Sequence, residues 1–425
     1  MLELHKRNVD CTGSAGRVLM REWRARAITK ALMVMKTKHE YRAAEVHPSI
    51  IPFNLPSVDD CEFKYLSDAI KRRELAGNGH YTQICNKWLE RRLGVARALL
   101  TQSGTAALEM AAILCDLAPG DEVIMPSFTF VSTANAVVLR GAIPVFIDIR
   151  PDTLNIDEMK IEQAITPRTK AIFVTHYAGV PCEMDTINAI AAPRRLLVVE
   201  DAAQALMSTY KGIPAGRLGV IGCFSFHATK NVMCGEGGAL IIDRQEFAER
   251  AEVVWEKGTN RHAFLKGGVD KYIWLDIGSS FVPSELTAAF LAAQLEKADV
   301  MTCDRITTWN AYHSMFEGLE RRDIGVVRPT IPRDVTHNGH IYYLLLRDGA
   351  GRNAVIKALK GFGIETQSHF VPLHSSPAGR RFARTVGELQ VTDDAASRLL
   401  RLPLWFGMGD ASARVGDTVM RVLDR

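Results

Sequence analysis

From about residue 100 to 245 the chain alternates short apolar runs with stretches of ten or more residues suited to helices. The runs are DEVIMPS (121–127), AIPVFIDI (142–149), AIFVTHY (171–177), LLVVED (196–201), GCFSFH (222–227) and ALIID (239–243). They are apolar at successive rather than alternate positions, the pattern of strands covered on both faces, and helices between them imply a mostly parallel sheet. Ligands of such sheets sit beyond the carboxyl ends of the strands, so the polar residues there are the first candidates for chemistry. Farther on, SELTAAFLAAQLEKADV (284–300) reads as one long helix. The remainder, with apolar runs at 341–346 and around 370, alternates less regularly and suits a smaller α+β domain. The expected division is therefore a basic, flexible N-terminal extension over 1–49, a large α/β domain over 51–293 and a small C-terminal domain over 294–425.

Composition narrows the function. Hydrophobic residues at 47%, charged residues at 24% and a mean hydropathy of -0.01 describe a globular chain. No run approaches the roughly 18 apolar residues that span a bilayer, so no membrane role and a cytoplasmic location are expected. The net charge of +4 is concentrated at the start: residues 1–50 carry ten Lys/Arg and five Asp/Glu, which leaves -1 for the rest. A main body without positive excess has no basic face for nucleic acid. The eight cysteines are scattered, without a CxxC pair or zinc-ligand spacing, and read as reduced thiols. His369 and His374 lie five apart around Pro372, which is not a metal-ligand spacing. No metal is expected.

The segment CFSFHATKNVMCGEGG (223–238) places Lys230 between a strand and a glycine-rich turn. A lysine desolvated there loses its proton more readily and can form a Schiff base with a carbonyl compound. Asp201 closes the strand LLVVED, where it can cap a helix or pair with a pyridinium nitrogen. Gln204 follows one turn later. SGTAALEMAAIL (103–114) opens a helix on small residues, so Gly104 and Thr105 can admit an anion to the free first-turn amides. Ser225 offers a second hydroxyl, and Phe130 a flat face for a ring to stack on. Singly, each has an ordinary explanation: a surface lysine, a helix cap, an exposed glutamine, a core aromatic. Together they supply a Schiff-base amine, a pyridinium partner, a phosphate cradle and a stacking ring, the requirements of pyridoxal 5'-phosphate.

At this point the chain resembles the DegT/DnrJ/StrS sugar aminotransferases. The likeness rests on IPFNLP (51–56), PSFTFVSTANAVVLRGA (126–142), RPDTLNID (150–157), HYAGVPCEMDTI (176–187), VVEDAAQALMSTYKG (198–212), GCFSFHATKN (222–231), EKGTNR (256–261), DKYIWLDIGSS (270–280), HFVPLH (369–374) and RLPL (401–404). The resemblance implies the aspartate aminotransferase-like fold (fold type I), a homodimer with active sites at the subunit boundary, and pyridoxal phosphate held covalently by Lys230. It puts Asp201 on the ring nitrogen, Phe130 on the ring face, Gln204 near the ring hydroxyl, and Gly104, Thr105 and Ser225 around the phosphate. His369 and Arg261 are implied near substrate. Relatives often have an asparagine reaching the neighbouring subunit's phosphate; Ser280 stands in its place here. Within the family the chain is most similar to members that pass an amino group from glutamate to C4 of a dTDP-4-keto-6-deoxy sugar, in the galacto form, for surface polysaccharide. Alternatives are a GDP- or UDP-linked or 3-keto sugar, or a non-catalytic regulator that binds the cofactor. Related dehydratases carry histidine where this chain has Lys230.

Overall fold

The computed structural model describes residues 50–265, 267–321 and 325–424; the expected extension over 1–49 lies outside the described residues. Each of the six apolar runs between residues 121 and 243 becomes a strand, and the run at 341–346 does too, while the one around residue 370 forms a loop. In chain order the strands are β1 (Arg97–Thr101), β2 (Glu122–Pro126), β3 (Ile143–Ile147), β4 (Thr169–Thr175), β5 (Leu197–Asp201), β6 (Thr209–Tyr210), β7 (Ile213–Pro214), β8 (Ile221–Ser225), β9 (Gly238–Ile242), β10 (Val335–Thr336), β11 (Tyr342–Leu345), β12 (Arg384–Thr385) and β13 (Leu399–Leu402). Eight form one sheet in the order β1-β9-β8-β5-β4-β2-β3-β12. Only β9 runs antiparallel to its neighbours; the other pairings are parallel. The sheet is thus mostly parallel, as the continuous apolar runs predict. β2 and β9 are buried along their whole length, since helices cover both faces. Each Leu, Ile or Phe so enclosed contributes about 1.5–3 kcal/mol.

Helix Gly104–Leu114 is apolar nearly all round, with eight of its residues buried from Ala106 to Leu114. It packs between the sheet and the helices Val131–Val138 and Gln245–Trp255. The long helix expected over 284–300 is instead two, Glu285–Leu295 and Ala298–Met315. The break falls at Lys297, which leaves helical geometry (φ -101°, ψ 1°). Its ammonium reaches back to Glu62 (2.5 Å) and Asp59 (3.1 Å), anchoring the corner where the chain turns toward its C-terminal region.

That region is built on the antiparallel pair β11 and β13, over a cluster that includes Trp309, Tyr312, Phe316, Tyr342 and Leu400. Two short segments tie it to the rest. Ile51, near the start of the described chain, bridges Ile364 and joins the same cluster. In the other direction β12 pairs with β3 at the edge of the large sheet. The two-residue strand β12 does not stand out in the sequence, because a run that short carries no measurable period; β1 (RALLT), with only three apolar residues between Arg97 and Thr101, lies outside the expected runs.

The edge is pinned by a buried carboxylate. Glu122, fully buried at the start of β2, accepts from Arg384 Nε (3.1 Å) and Nη2 (2.6 Å), from Thr166 Oγ1 (2.8 Å) and from Arg168. Burial alone would raise its pKa, but the bonds from Arg384, Thr166 and Arg168 outweigh it and hold Glu122 down to about 2. Among the described residues no helix is long and apolar enough to cross a membrane, and no group of three or more His, Cys, Asp or Glu is placed to hold a metal. Glu122→Gln is expected to cost about 2 kcal/mol of stability, from the lost charge-assisted bonds. Because the folded pKa is depressed, that contribution is complete above about 4.5 and disappears as pH falls toward about 2. Denaturant melts of both proteins between neutral and acidic pH measure it: the gap should close as pH falls.

Candidate active site

A cavity of about 460 Å³ opens where the carboxyl ends of β1, β2, β4, β5 and β8 converge. Gly104, Thr105, Phe130, Asp201, Gln204, Ser225, Lys230 and His369 all line it. Arg261 is placed elsewhere. It does not line the cavity of its own chain, and its guanidinium pairs with Glu256 at 3.2 Å. Ser280 likewise lies outside the lining; its backbone bridges Glu256 and its carbonyl accepts from Gln102.

One corner is made for an anion. After β1 the Ser103 hydroxyl caps the helix Gly104–Leu114, accepting from the Ala106 N–H at 3.0 Å. The first-turn amides that remain face the cavity mouth with the positive end of the helix dipole. A Cβ on residue 104 would lie 2.8 Å from the Ser225 Cβ, so glycine is needed for β8 to come this close. Thr105 Oγ1 and Ser132 Oγ are 2.7 Å apart, and the Ser225 hydroxyl accepts a long bond from the His227 N–H (3.4 Å). The corner is rich in hydroxyl and amide donors. Beside it Phe130, the residue before helix Val131–Val138, lines the cavity while 58% exposed, because nothing among the described residues covers its outer side.

Asp201, buried at the end of β5, is held from two sides. Its Oδ2 accepts from Thr133 Oγ1 (2.6 Å) and its Oδ1 from the Ala203 N–H (3.2 Å). Thr133 is in turn 3.1 Å from Thr129, and Thr129 2.8 Å from Thr175. Each hydroxyl has one proton, and an ionised carboxylate only accepts. The chain therefore runs one way, Thr175 to Thr129 to Thr133 to Asp201. Gln204 Oε1 accepts from the Ala178 N–H at 2.7 Å, which leaves its amide nitrogen as the donor toward the cavity. Ala178 adopts a left-handed backbone (φ 57°) to present that N–H, a conformation that costs about 1–2 kcal/mol without glycine.

Lys230 sits in the turn after β8, its N–H bonded to the His227 carbonyl at 2.8 Å. Burial lowers its pKa to about 8; the nearby Asp201 charge opposes the fall and the Arg401 charge adds to it. At that pKa roughly a tenth of the amine is free base at pH 7, about 300-fold more than for an ordinary lysine, which favours nucleophilic chemistry. His369 stacks on Phe370 (ring centres 4.1 Å apart, 9° between planes), and burial with the adjacent Arg401 charge pushes it down to about 2. It is a neutral imidazole. His374, by contrast, is structural, bonded to Ser127 Oγ at 2.8 Å.

Several lining residues escape sequence reasoning. Phe53 and Asn54 arrive from the segment IPFNLP, where Asn54 Nδ2 donates to the Ala228 carbonyl (3.1 Å). Arg305 donates Nε to the Gly339 carbonyl (3.1 Å) and Nη2 to that of His340 (2.8 Å); burial lowers it to about 9. Arg401 comes from β13. The sequence marked it only as the first residue of RLPL, one of the stretches that carry the family likeness, without a role.

The model of the DegT/DnrJ/EryC1/StrS aminotransferase family matches residues 56–420. The spore coat polysaccharide biosynthesis protein SpsC of Bacillus subtilis is 34% identical over 88% of this chain and 96% of its own. GDP-perosamine synthase of Caulobacter vibrioides is 32% identical over 87% and 96%. Among solved structures, the aminotransferase TlmJ from Streptoalloteichus hindustanus superposes with a TM-score of 0.81 at 29% identity, over 88% of this chain and 99% of that one.

The Lys230 amine should react with acetic anhydride in step with its free-base fraction, rising through about pH 8 and levelling above. In Asp201→Asn the midpoint should fall, since the carboxylate favours the ammonium form. Competitive labelling of the cofactor-free protein, read by mass spectrometry, measures both; a midpoint near the ordinary lysine value contradicts the burial argument.

Proposed function

Since the chain belongs to the DegT/DnrJ/EryC1/StrS aminotransferase family, whose cofactor is pyridoxal phosphate, we propose that it passes an amino group from glutamate to C4 of a dTDP-linked 4-keto-6-deoxy sugar. The product is a 4-amino-4,6-dideoxy sugar nucleotide, the galacto form favoured, for surface polysaccharide. The observation that carries this reading is the presence, in one cavity, of a lysine amine near its free-base range and a carboxylate locked in orientation by Thr133 and Ala203.

The residues present fit the cofactor. The corner of first-turn amides with Thr105 and Ser225 suits a phosphate, and glycine at 104 keeps it open. Phe130 offers a ring face, and Gln204 a donor for a ring oxygen. When bound, the cofactor supplies the electron-accepting ring that lets a proton leave the donor's α-carbon. Lys230 Nζ holds the cofactor covalently at rest, and once released it takes that proton and returns it as a general acid. Asp201 keeps the ring nitrogen protonated, with the Thr175-Thr129-Thr133 chain directing its Oδ2. In this reading the protein works as a homodimer. The exposed apolar stretch Ile273, Trp274 and Leu275, with Trp274 80% exposed, and the uncovered Phe130 support a second copy as the missing wall, where Ser280 and Arg261 would meet the partner's site.

A GDP-linked substrate is the second reading, favoured by the 32% identity to GDP-perosamine synthase. Product NMR after offering dTDP- and GDP-linked 4-keto-6-deoxy sugars with glutamate decides between them. Glutamate should convert the visible absorbance of the lysine-bound cofactor to that of pyridoxamine phosphate; an unchanged spectrum favours a non-catalytic binder. Lys230→Ala should lose both the absorbance and turnover. Asp201→Asn should lower kcat by about 100-fold or more, and full activity in either variant ends the proposal.

A further inference from the structure

His340 lines the cavity, and its hydrogen bonds fix which ring nitrogen carries the proton. Asn231, the residue after Lys230, donates Nδ2 to the Asn338 carbonyl (2.9 Å) and turns its Oδ1 to His340 Nδ1 (2.8 Å). An amide oxygen only accepts, so Nδ1 must be the donor. Burial, with Lys230, Arg305, Arg401 and His369 around it, holds the imidazole well below its ordinary pKa. A neutral ring protonated on Nδ1 keeps a lone pair on Nε2. Among the described residues nothing donates to that atom, yet it is not sealed off, which leaves the cavity as the space it opens on. The backbone around it is anchored as well. The His340 N–H donates to Asn338 Oδ1 (3.0 Å), and Asn338 Nδ2 donates to the carbonyls of Gln204 and Leu206 (2.8 Å each). Arg305 holds the carbonyls of Gly339 and His340. Residues 338–340 thus join the turn that carries Lys230 to the loop that carries Gln204.

We propose that His340 is a positioning residue whose Nε2 accepts a hydrogen bond from the Lys230 ammonium and so aims the amine at the donor's α-carbon. The inference rests on the aminotransferase reading for the reaction itself. Lys230 Nζ has no hydrogen-bond partner among the described residues and opens on the same cavity. Once it has taken a proton it carries three N–H bonds and no lone pair, so it needs acceptors. The other cationic side chains of this wall offer none: Arg305 and Arg401 only donate, and His369 Nε2 already accepts from Arg401 Nη1. The tie through Asn231 favours the lysine over a ligand hydroxyl as the donor, because it registers the imidazole to Lys230's own turn. An ammonium held by a neutral imidazole makes a charge-assisted bond, which opposes the loss of basicity that burial and the Arg401 charge impose on Lys230.

The first test needs no turnover. Competitive acetylation of the cofactor-free protein should place the Lys230 midpoint about one unit lower in His340→Met than in the wild type, since the ammonium loses its acceptor while its burial persists. His340→Gln, of the same length but with an amide oxygen, should restore most of that shift. Asn231→Ala keeps the ring and frees its Nδ1 proton, so a smaller fall in the same direction is expected. The second test follows half-reactions of the holoenzyme by stopped-flow absorbance, with glutamate and, separately, with the dTDP- or GDP-linked amino sugar that the enzyme accepts, run in reverse. His340→Met should slow both arms about tenfold while half-saturating concentrations stay within about twofold. The isotope effect with α-deuterated glutamate should grow. Equal midpoints in the Met and Gln variants would make His340 part of the packing and overturn the proposal. Loss confined to the amino sugar arm would assign Nε2 to a sugar hydroxyl, and a change only in half-saturating glutamate would assign it to the donor; either result overturns it. A wild-type enzyme that does not react with glutamate would refute the aminotransferase reading, while the labelling midpoints still decide whether His340 holds the amine.

Discussion

The structure is organised around burying an amine and a carboxylate in the wall of one cavity. Lys230 follows β8 and Asp201 ends β5, strands that are hydrogen-bonded neighbours in the sheet. Burial disfavours the lysine's charge, and the carboxylate partly restores it; the balance leaves a pKa of about 8. Neither residue reaches that state alone. A lysine on an open loop stays charged near neutrality, and a carboxylate without the Thr133 and Ala203 bonds is free to rotate. The parallel sheet supplies the rigidity, since five strands end at the same side and their loops cannot drift independently.

The cavity wall divides by origin. The large sheet contributes the hydroxyls, amides and Asp201, groups suited to a phosphate and a ring. The β11-β13 pair contributes Arg401, and the segment before it His369 and Phe370. Residues 51–54 close the remaining side, held by the Ile51 bridge to Ile364 and by the Trp405 indole on the Pro52 carbonyl (3.1 Å). The two groups of residues thus meet across one cavity from separate sheets. The pairing of β12 with β3, clamped through Arg384 and Glu122, ties the two at a point distant from the cavity.

Charge is distributed in the same manner. Arg305, Arg401, Lys230, His340 and His369 share one side of the cavity. Burial lowers the pKa of each, and mutual repulsion adds to the effect. Both histidines are thereby neutral, leaving the arginines as the positive charges that an anionic substrate meets.

The sequence by itself determined a mostly parallel sheet, its six principal strands and the residues at their ends, because a strand buried on both faces must be apolar at successive positions. Residues that line the cavity were legible for the same reason: Gly104, Asp201, Ser225 and Lys230 are local to strand termini. Tertiary structure alone decided the rest. Arg401 and Phe53 are separated by most of the described chain and meet only because β13 and the first described segment fold onto one face. The Thr175-Thr129-Thr133 chain joins hydroxyls from the end of β4, the loop after β2 and the helix Val131–Val138, and no spacing in a single segment encodes it. The break at Lys297 was hidden too, since the apolar pattern continues through it and only the distant Glu62 and Asp59 fix the turn. Hydrophobic period is a property of one element; a shared cavity wall is a property of their packing.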